Sequence, residues 1–255
     1  MVSTRLYGAC LLACCVGAAL AQAPSPATAP ATPAVAASEP RRTESNIELD
    51  EVVRLMRAGK HQEALGLADA VIASYEDRYR RDKRHVFSAR SPAEAQVYIA
   101  SIATSPGNKA EDVGVYAPAW GDAYYLKGFI LIELKRLPEA RKALEAAVAL
   151  APHNAAYRNE LGQSQLKSKE FDAAAENFRK AEADARELSP PNVRKRELGG
   201  ALRGEAFVLV EKKDLDGAEK LYREALSLDP DDRTAIAELR YIEQLRARAQ
   251  KPAAK

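Results

Sequence analysis

Between Gly121 and Asn154 apolar residues recur at helical intervals in two blocks with a break between them. Tyr124, Gly128, Leu131 and Leu134 fall close to one stripe of a 3.6-residue period, and Ala140, Leu144, Ala147 and Leu150 make a second stripe after Leu137-Pro138. The pattern predicts two helices folded back on each other along a shared apolar seam. Pro138 suits the first turn of the second helix, where its missing N–H costs nothing, and Pro152 is expected to open whatever follows.

The next segment keeps the register. Gly128 is matched by Gly162 and Ala140 by Ala174, both 34 residues on, and Leu144 by Phe178 and Ala147 by Ala181 at the same interval. A fixed period of this length marks a stacked repeat rather than a closed globule. A third copy places Ala218, Tyr222, Ala225 and Pro230 where the first has Ala140, Leu144, Ala147 and Pro152. Its spacing from the second copy is 44 residues, so about ten extra residues, including Pro190-Pro191, lengthen the helices or the turn between them.

These residues carry a resemblance to the tetratricopeptide repeat, whose pattern is W-x2-L-G-x2-Y, then A-x3-F, then P, at about 34 residues per unit. In the first copy Tyr124, Gly128, Leu131, Ala140, Leu144 and Pro152 stand in the pattern, and Lys127 departs from it at the Leu. In the second, Leu161-Gly162 and Ala174 with Phe178 match, while Arg158 and Gln165 depart and no Pro falls in register. The third has Ala206 at the Gly and keeps Ala218, Tyr222 and Pro230. The resemblance covers roughly Gly121 to Asp232 and implies an all-α solenoid of antiparallel hairpins, with repeats at 121–154, 155–188 and 189–232. It further implies an inner groove, formed by the first helix of each pair, that binds an extended peptide or a partner helix. The groove places fall on Tyr125, Phe129, Ile132 and Glu133, then Asn159, Gln163, Leu166 and Lys167, then Arg203, Phe207 and Val210. Phe129 and Phe207 have an equally good alternative in packing into neighbouring insertions or the capping helix. The Asn and Lys set that clamps a terminal carboxylate in some members of the family is not reproduced.

Upstream, Ser45-Asn46-Ile47-Glu48 has capping-box spacing before Leu49, Val52, Val53 and Met56, and Gly59 stops that helix. A second helix from about Gln62 carries Ala64, Ala68, Val71, Ile72, Tyr75 and Tyr79 on one face, so residues 45–120 read as a degenerate hairpin followed by an insertion. Ser91-Pro92-Ala93-Glu94 repeats the capping signal ahead of Ala95, Tyr98, Ile99 and Ile102. The stretch from Asn108 to Trp120 has no clear period and reads as a packing plug more than a site. At the other end, residues 233–250 form a capping helix with Ile236, Leu239, Ile242 and Leu245 inward and arginines outward, which an open stack requires.

All three cysteines, Cys10, Cys14 and Cys15, lie in the first fifteen residues. Arg5, the apolar run from Leu6 to Leu20 and the small residues around Ala21 make a secretory signal, with cleavage expected before Gln22. Leu11-Leu12-Ala13-Cys14 weakly resembles a bacterial lipoprotein box, which would leave Cys14 lipidated instead. Residues 22–44, rich in Ala and Pro, read as a linker with little to bury. The expected location is periplasmic or secreted, and the mature chain then has no thiol chemistry.

Charge changes this picture little, because 38 Lys and Arg face 36 Asp and Glu across 255 residues. The densest basic run, Arg78, Arg80, Arg81, Lys83 and Arg84, reads as a solvated helix end, with an anionic surface contact as the sharper alternative. Nucleic acid is not expected as a partner. His61, His85 and His153 are far apart and read as exposed turn or helix-end residues, without ligand spacing for a metal. Glu111-Asp112 and Asp231-Asp232 read as helix-start charges. With no phosphate loop or nucleophile elbow, no cofactor is implied. The expected role is a non-catalytic scaffold or binding module in the bacterial envelope; the alternatives are a cell-wall-associated binding or hydrolytic factor and a lipid-anchored outer-membrane assembly component.

Overall fold

The computed structural model describes residues 44–249. Four helical hairpins follow one another: α1 (Glu44–Arg57) with α2 (His61–Tyr79), α4 (Ala119–Glu133) with α5 (Leu137–Leu150), α6 (Ala155–Lys167) with α7 (Phe171–Glu187), and α8 (Pro191–Glu211) with α9 (Leu215–Leu228). A last helix, α10 (Arg233–Ala249), packs on α9 and α8. The small residues of the repeat sit where the helices cross. Ala140, Ala174 and Ala218 are fully buried, as are Leu144 and Phe178, and Tyr222 nearly so. Gly128 lets α4 approach α5 closely, since a Cβ there would lie 2.5 Å from Leu144 Cγ; Gly162 does the same against Phe178, at 2.8 Å.

Each hairpin turns in the same way. At the end of the first helix one residue adopts the left-handed conformation: Gly59 (φ 72°), Lys135 (62°), Lys169 (61°) and Lys213 (67°). In all four, that residue donates its N–H to the carbonyl three back and the next residue donates five back, as in Lys135 to Ile132 and Arg136 to Leu131. This is the Schellman closure, which satisfies the last carbonyls of the helix. The same closure recurs at the α1–α2 turn. Ser45 falls inside α1 and not at its start, because the helix already includes Glu44.

The first helices of successive hairpins touch: α1 with α4, α4 with α6, α6 with α8. Among the described residues the second helices make no comparable contact with each other, so the stack curves with the first helices on its inner side. The added residues between the second and third copies lengthen helices, as α7 has 17 residues and α8 has 21 against 14 and 13 in α5 and α6. Pro191 stands in the first turn of α8. Pro152 opens no helix. Asn154 caps α6 instead, its side chain accepting the N–H groups of Ala156 and Tyr157.

Between α2 and α4 the insertion contains two short strands that the sequence pattern does not announce. β1 (His85–Ser88) and β2 (Val113–Tyr116) pair in parallel, with α3 (Pro92–Ala103) as the crossover. Strands of four residues are too short for alternation to register. Ser91 caps α3 by accepting the Glu94 N–H, but the Glu94 carboxylate reaches back one residue further, to the N–H of Arg90. Trp120 stacks on Tyr75 and Tyr79, whose rings lie 6.0 and 5.6 Å away, and Tyr116 lies 4.0 Å from Tyr79. The end of the insertion is thus packed against α2, as the plug reading expects. Among the described residues no helix is long and apolar enough to cross a membrane. The signal-like segment, Cys14 and residues 22–43 of the expected linker lie outside the described residues, as does Gln250 at the end of the expected capping helix; Glu44, expected in the linker, is instead the first residue of α1.

Candidate partner-binding groove

The inner side is built from α4, α6 and α8, and the side chains reaching it differ in how far they emerge. Tyr125 and Phe129 on α4, Gln163 and Lys167 on α6 and Arg203 on α8 are half-buried, and Glu133 is exposed. Ile132, Leu166 and Val210 are not part of a binding face. They are 3%, 2% and 7% exposed, because at their helical phase they turn into the seams between helices, Leu166 against Phe178 and Val208, and Val210 among Ala206, Ala218 and Tyr222. Phe207 packs on the Leu166 and Phe178 cluster of the preceding hairpin, not into an insertion or the capping helix. Arg203 donates to the Asp232 carboxylate.

Two groups missing from the sequence reading complete the strip. Glu160 lies two turns before Lys167, and desolvation raises its carboxyl above the usual range although the Lys167 charge opposes this. Desolvation likewise depresses Lys167, against the pull of Glu160 and Glu133. Tyr157 is buried at 2% exposure, stacks on Tyr125 at 5.3 Å and donates to Asp122 Oδ1 at 2.6 Å. Burial pushes the Asp122 carboxyl up to about 6. The strip thus combines aromatic, amide and charged side chains, most of them half-buried.

The insertion reaches α8 through one side chain. Arg90, just before α3, is sandwiched between two carboxylates. It donates to Glu94 at 2.8 and 3.0 Å and, through Nη1, to Glu197 of α8 at 2.7 Å. Glu94 and Glu197 are 0% and 3% exposed. Glu197 also accepts from Ser189, and its backbone carbonyl accepts from Asn159 Nδ2 at 2.8 Å. Asn159 therefore positions α8 against α6, while its Oδ1 is buried with no partner among the described residues. Arg90 and Glu197 are 107 residues apart, and no local spacing signals their meeting.

The remaining ionisable candidates have structural positions. His153 lies in a turn as expected but is half-buried: its Nδ1 lies 2.7 Å from Asp184 Oδ1 and its ring 5.7 Å from that of Tyr98. His61 begins α2 and His85 begins β1. Asp232 caps α10 through the N–H groups of Thr234 and Ala235. In the basic run, Arg78 lies 5.8 Å from the centre of the Tyr75 ring, Arg80 pairs with Asp77 and Arg84 with Asp82. The Arg84 guanidinium holds the Asp82 carboxyl well below the usual carboxylate range.

A curved stack of helical hairpins with a half-dry inner strip defines a helical-repeat solenoid. Residues 125–190 and 206–232 match two models of the tetratricopeptide repeat. Such folds are generally non-catalytic scaffolds for protein interaction. Among solved structures, a MamA double mutant (RS-1) is similar at 14% identity and a TM-score of 0.50, over 80% of this chain and 85% of that one. YrrB, described as a TPR protein with an unusual peptide-binding site, is similar at 14% and 0.40, over 78% and 93%. The first TPR of Spaghetti (RPAP3), bound to the HSP90 peptide SRMEEVD, is similar at 21% and 0.44, over 50% and 93%. At these identities the likeness shows the fold alone. No curated protein matches the chain.

Proposed function

We propose that this chain is a non-catalytic interaction module of the bacterial envelope that seats an extended peptide or a partner helix along the inner face of α4, α6 and α8. The observation that supports the reading is the strip of Tyr125, Phe129, Glu160, Gln163 and Lys167, where ionisable groups stand partly desolvated beside aromatic rings. Holding Glu160 and Lys167 away from water is unfavourable for a free surface and favours a partner that brings backbone amides or an opposite charge to them. Export is supported by Arg5, the apolar run from Leu6 to Leu20 and the small residues at Ala19 and Ala21.

A photo-crosslinking residue placed at Phe129 is expected to trap a partner in cells, whereas the same residue at Glu145, exposed on α5, is not. Lys167→Ala should reduce the yield from position 129. Equal yields from the two positions would move the interaction off the inner face. Mass spectrometry of the mature protein tests the location: Gln22 as first residue supports export, a lipidated Cys14 supports anchoring, and an intact Met1 contradicts both.

A further inference from the structure

The inner strip carries more negative charge than the chain itself balances. Glu160 on α6 is half-buried and has no hydrogen bond or ion pair among the described residues, yet desolvation holds its carboxyl above the usual range. A carboxylate that solvent still reaches but protein surrounds lies on the floor of a concave surface. Lys167, whose charge opposes the shift, stands about 10 Å further along the axis of the same helix. Glu133, exposed at the end of α4, adds to the negative field at Glu160. Asn159, the residue before Glu160, has the Oδ1 that finds no donor among the described residues. Two neighbouring residues of α6 thus hold acceptor oxygens that the described residues leave unsatisfied.

Tyr125 faces this part of α6 from α4. Desolvation raises its hydroxyl well above the usual range, and of the charges acting on it that of Glu160 is the strongest, reinforced by Asp122 and Glu197 and opposed by Arg196. Other cations near the strip are engaged. Arg203 pairs with Asp232, Arg158 lies 3.3 Å from Asp184, and Arg90 alone serves both Glu94 and Glu197. That leaves Asp122, Glu133 and Glu160 against Lys167 and Arg196, with one further carboxylate uncompensated at Arg90.

We propose that Tyr125 and Glu160 form a cation subsite that receives a basic group of the seated peptide, which lies against the tyrosine ring and donates to the Glu160 carboxylate. The inference rests on the groove reading above. A cation supplies both the donors and the opposite charge that Glu160 lacks, and the face of a tyrosine adds to its attraction. The group belongs to a Lys or Arg side chain or is an N-terminal ammonium, and the experiment separates the two.

Pools of labelled peptides with randomised neutral flanks are passed over the immobilised full chain at neutral pH. Pools blocked at both termini carry a central Lys-Lys, Gln-Gln or Glu-Glu pair, and a fourth pool carries Gln-Gln with a free N-terminal ammonium. The Lys-Lys or the free-ammonium pool should be retained about tenfold over blocked Gln-Gln, a preference that shrinks as salt rises. Glu160→Gln should abolish the preference and melt no lower than the wild type, since a neutral amide is the easier group to hold away from water. Glu133→Gln, at an exposed position, should weaken it, and Glu145→Gln on α5 should leave it unchanged. Equal retention of all pools, a preference for Glu-Glu, or a preference that survives Glu160→Gln overturns the subsite. Should Glu160→Gln melt lower, Glu133→Gln decides, and an undiminished preference there overturns it. If blocked Gln-Gln is retained as well as Lys-Lys and is lost in Phe129→Ala, the groove stands and the subsite falls; if no pool is retained, both fall.

Discussion

The ring of Phe178 lies between two glycines, Gly162 on its own hairpin partner and Gly204 on the first helix of the next repeat. It is fully buried. A Cβ added at Gly204 would come within 2.5 Å of three ring carbons, and a ring moving away from it would press on Gly162, where a Cβ would already meet ring carbons at 2.8 Å. Gly204→Ala therefore sets two effects against each other. Replacing glycine by alanine inside a helix favours folding by about 1 kcal/mol, while overpacking a buried crossing costs about 1–3 kcal/mol. With no direction of retreat the cost falls in the upper half of that range, and the net expectation is a loss of about 1–2 kcal/mol, roughly 2–8 °C in melting temperature. Gly66 in α2 is the control, because it is exposed and nothing lies within 4 Å of its added Cβ. Gly66→Ala should gain about 1 kcal/mol. Shrinking the ring with Phe178→Leu should cost less in the Gly204→Ala background than alone. Urea and thermal unfolding followed by circular dichroism read all four proteins. If Gly204→Ala and Gly66→Ala shift stability in the same direction, the close crossing is not what fixes these glycines.

Replacing Lys135, Lys169 or Lys213 by glycine should stabilise by about 0.5–1 kcal/mol each, since each holds a left-handed turn that costs a side-chain-bearing residue about 1 kcal/mol; Gly59→Ala should lose about as much, and unchanged melting in all four would show that the turns relax freely. Arg90→Met leaves Glu94 and Glu197 buried without their cation and should destabilise by about 3–5 kcal/mol, with faster amide exchange in β1, α3 and β2; undisturbed exchange there would dismiss the tie. For Asp122, burial raises the folded pKa to about 6, above its value of about 3.9 in an unfolded chain. The folded state thus binds the proton more tightly, so this group's contribution to stability rises as pH falls from about 6 to 4 and is lowest above 6. Asp122→Asn should accordingly gain most over the wild type near pH 7 and little near pH 4, and a difference independent of pH would refute the assignment.

The repeat was legible because its signals are local and recur. Gly128, Ala140 and Leu144 each need only a helical neighbour within the same hairpin, and their copies 34 residues on confirm the register. The left-handed lysines were not legible, since lysine carries no preference for that conformation. The two strands escaped for a similar reason, as four residues held by pairing across α3 leave no periodic trace. At the groove, the register placed the correct helices inward but not each residue's depth. Ile132, Leu166 and Val210 lie within one helical step of the exposed face, and the helix packed behind them decides that they are covered.

Arg90 also changes what kind of array this is. In an ordinary stack each hairpin contacts only its neighbours, stability is a sum of unit and interface contributions, and the ends open independently. Here a buried cation ties the segment between the first and second hairpins to the first helix of the fourth. Separating those hairpins would break the Arg90–Glu197 pair as well as part the apolar faces between them. On the proposed reading this tie favours an inner strip already shaped before a partner arrives, and a preshaped face loses less entropy on binding than one that must be shaped by its ligand.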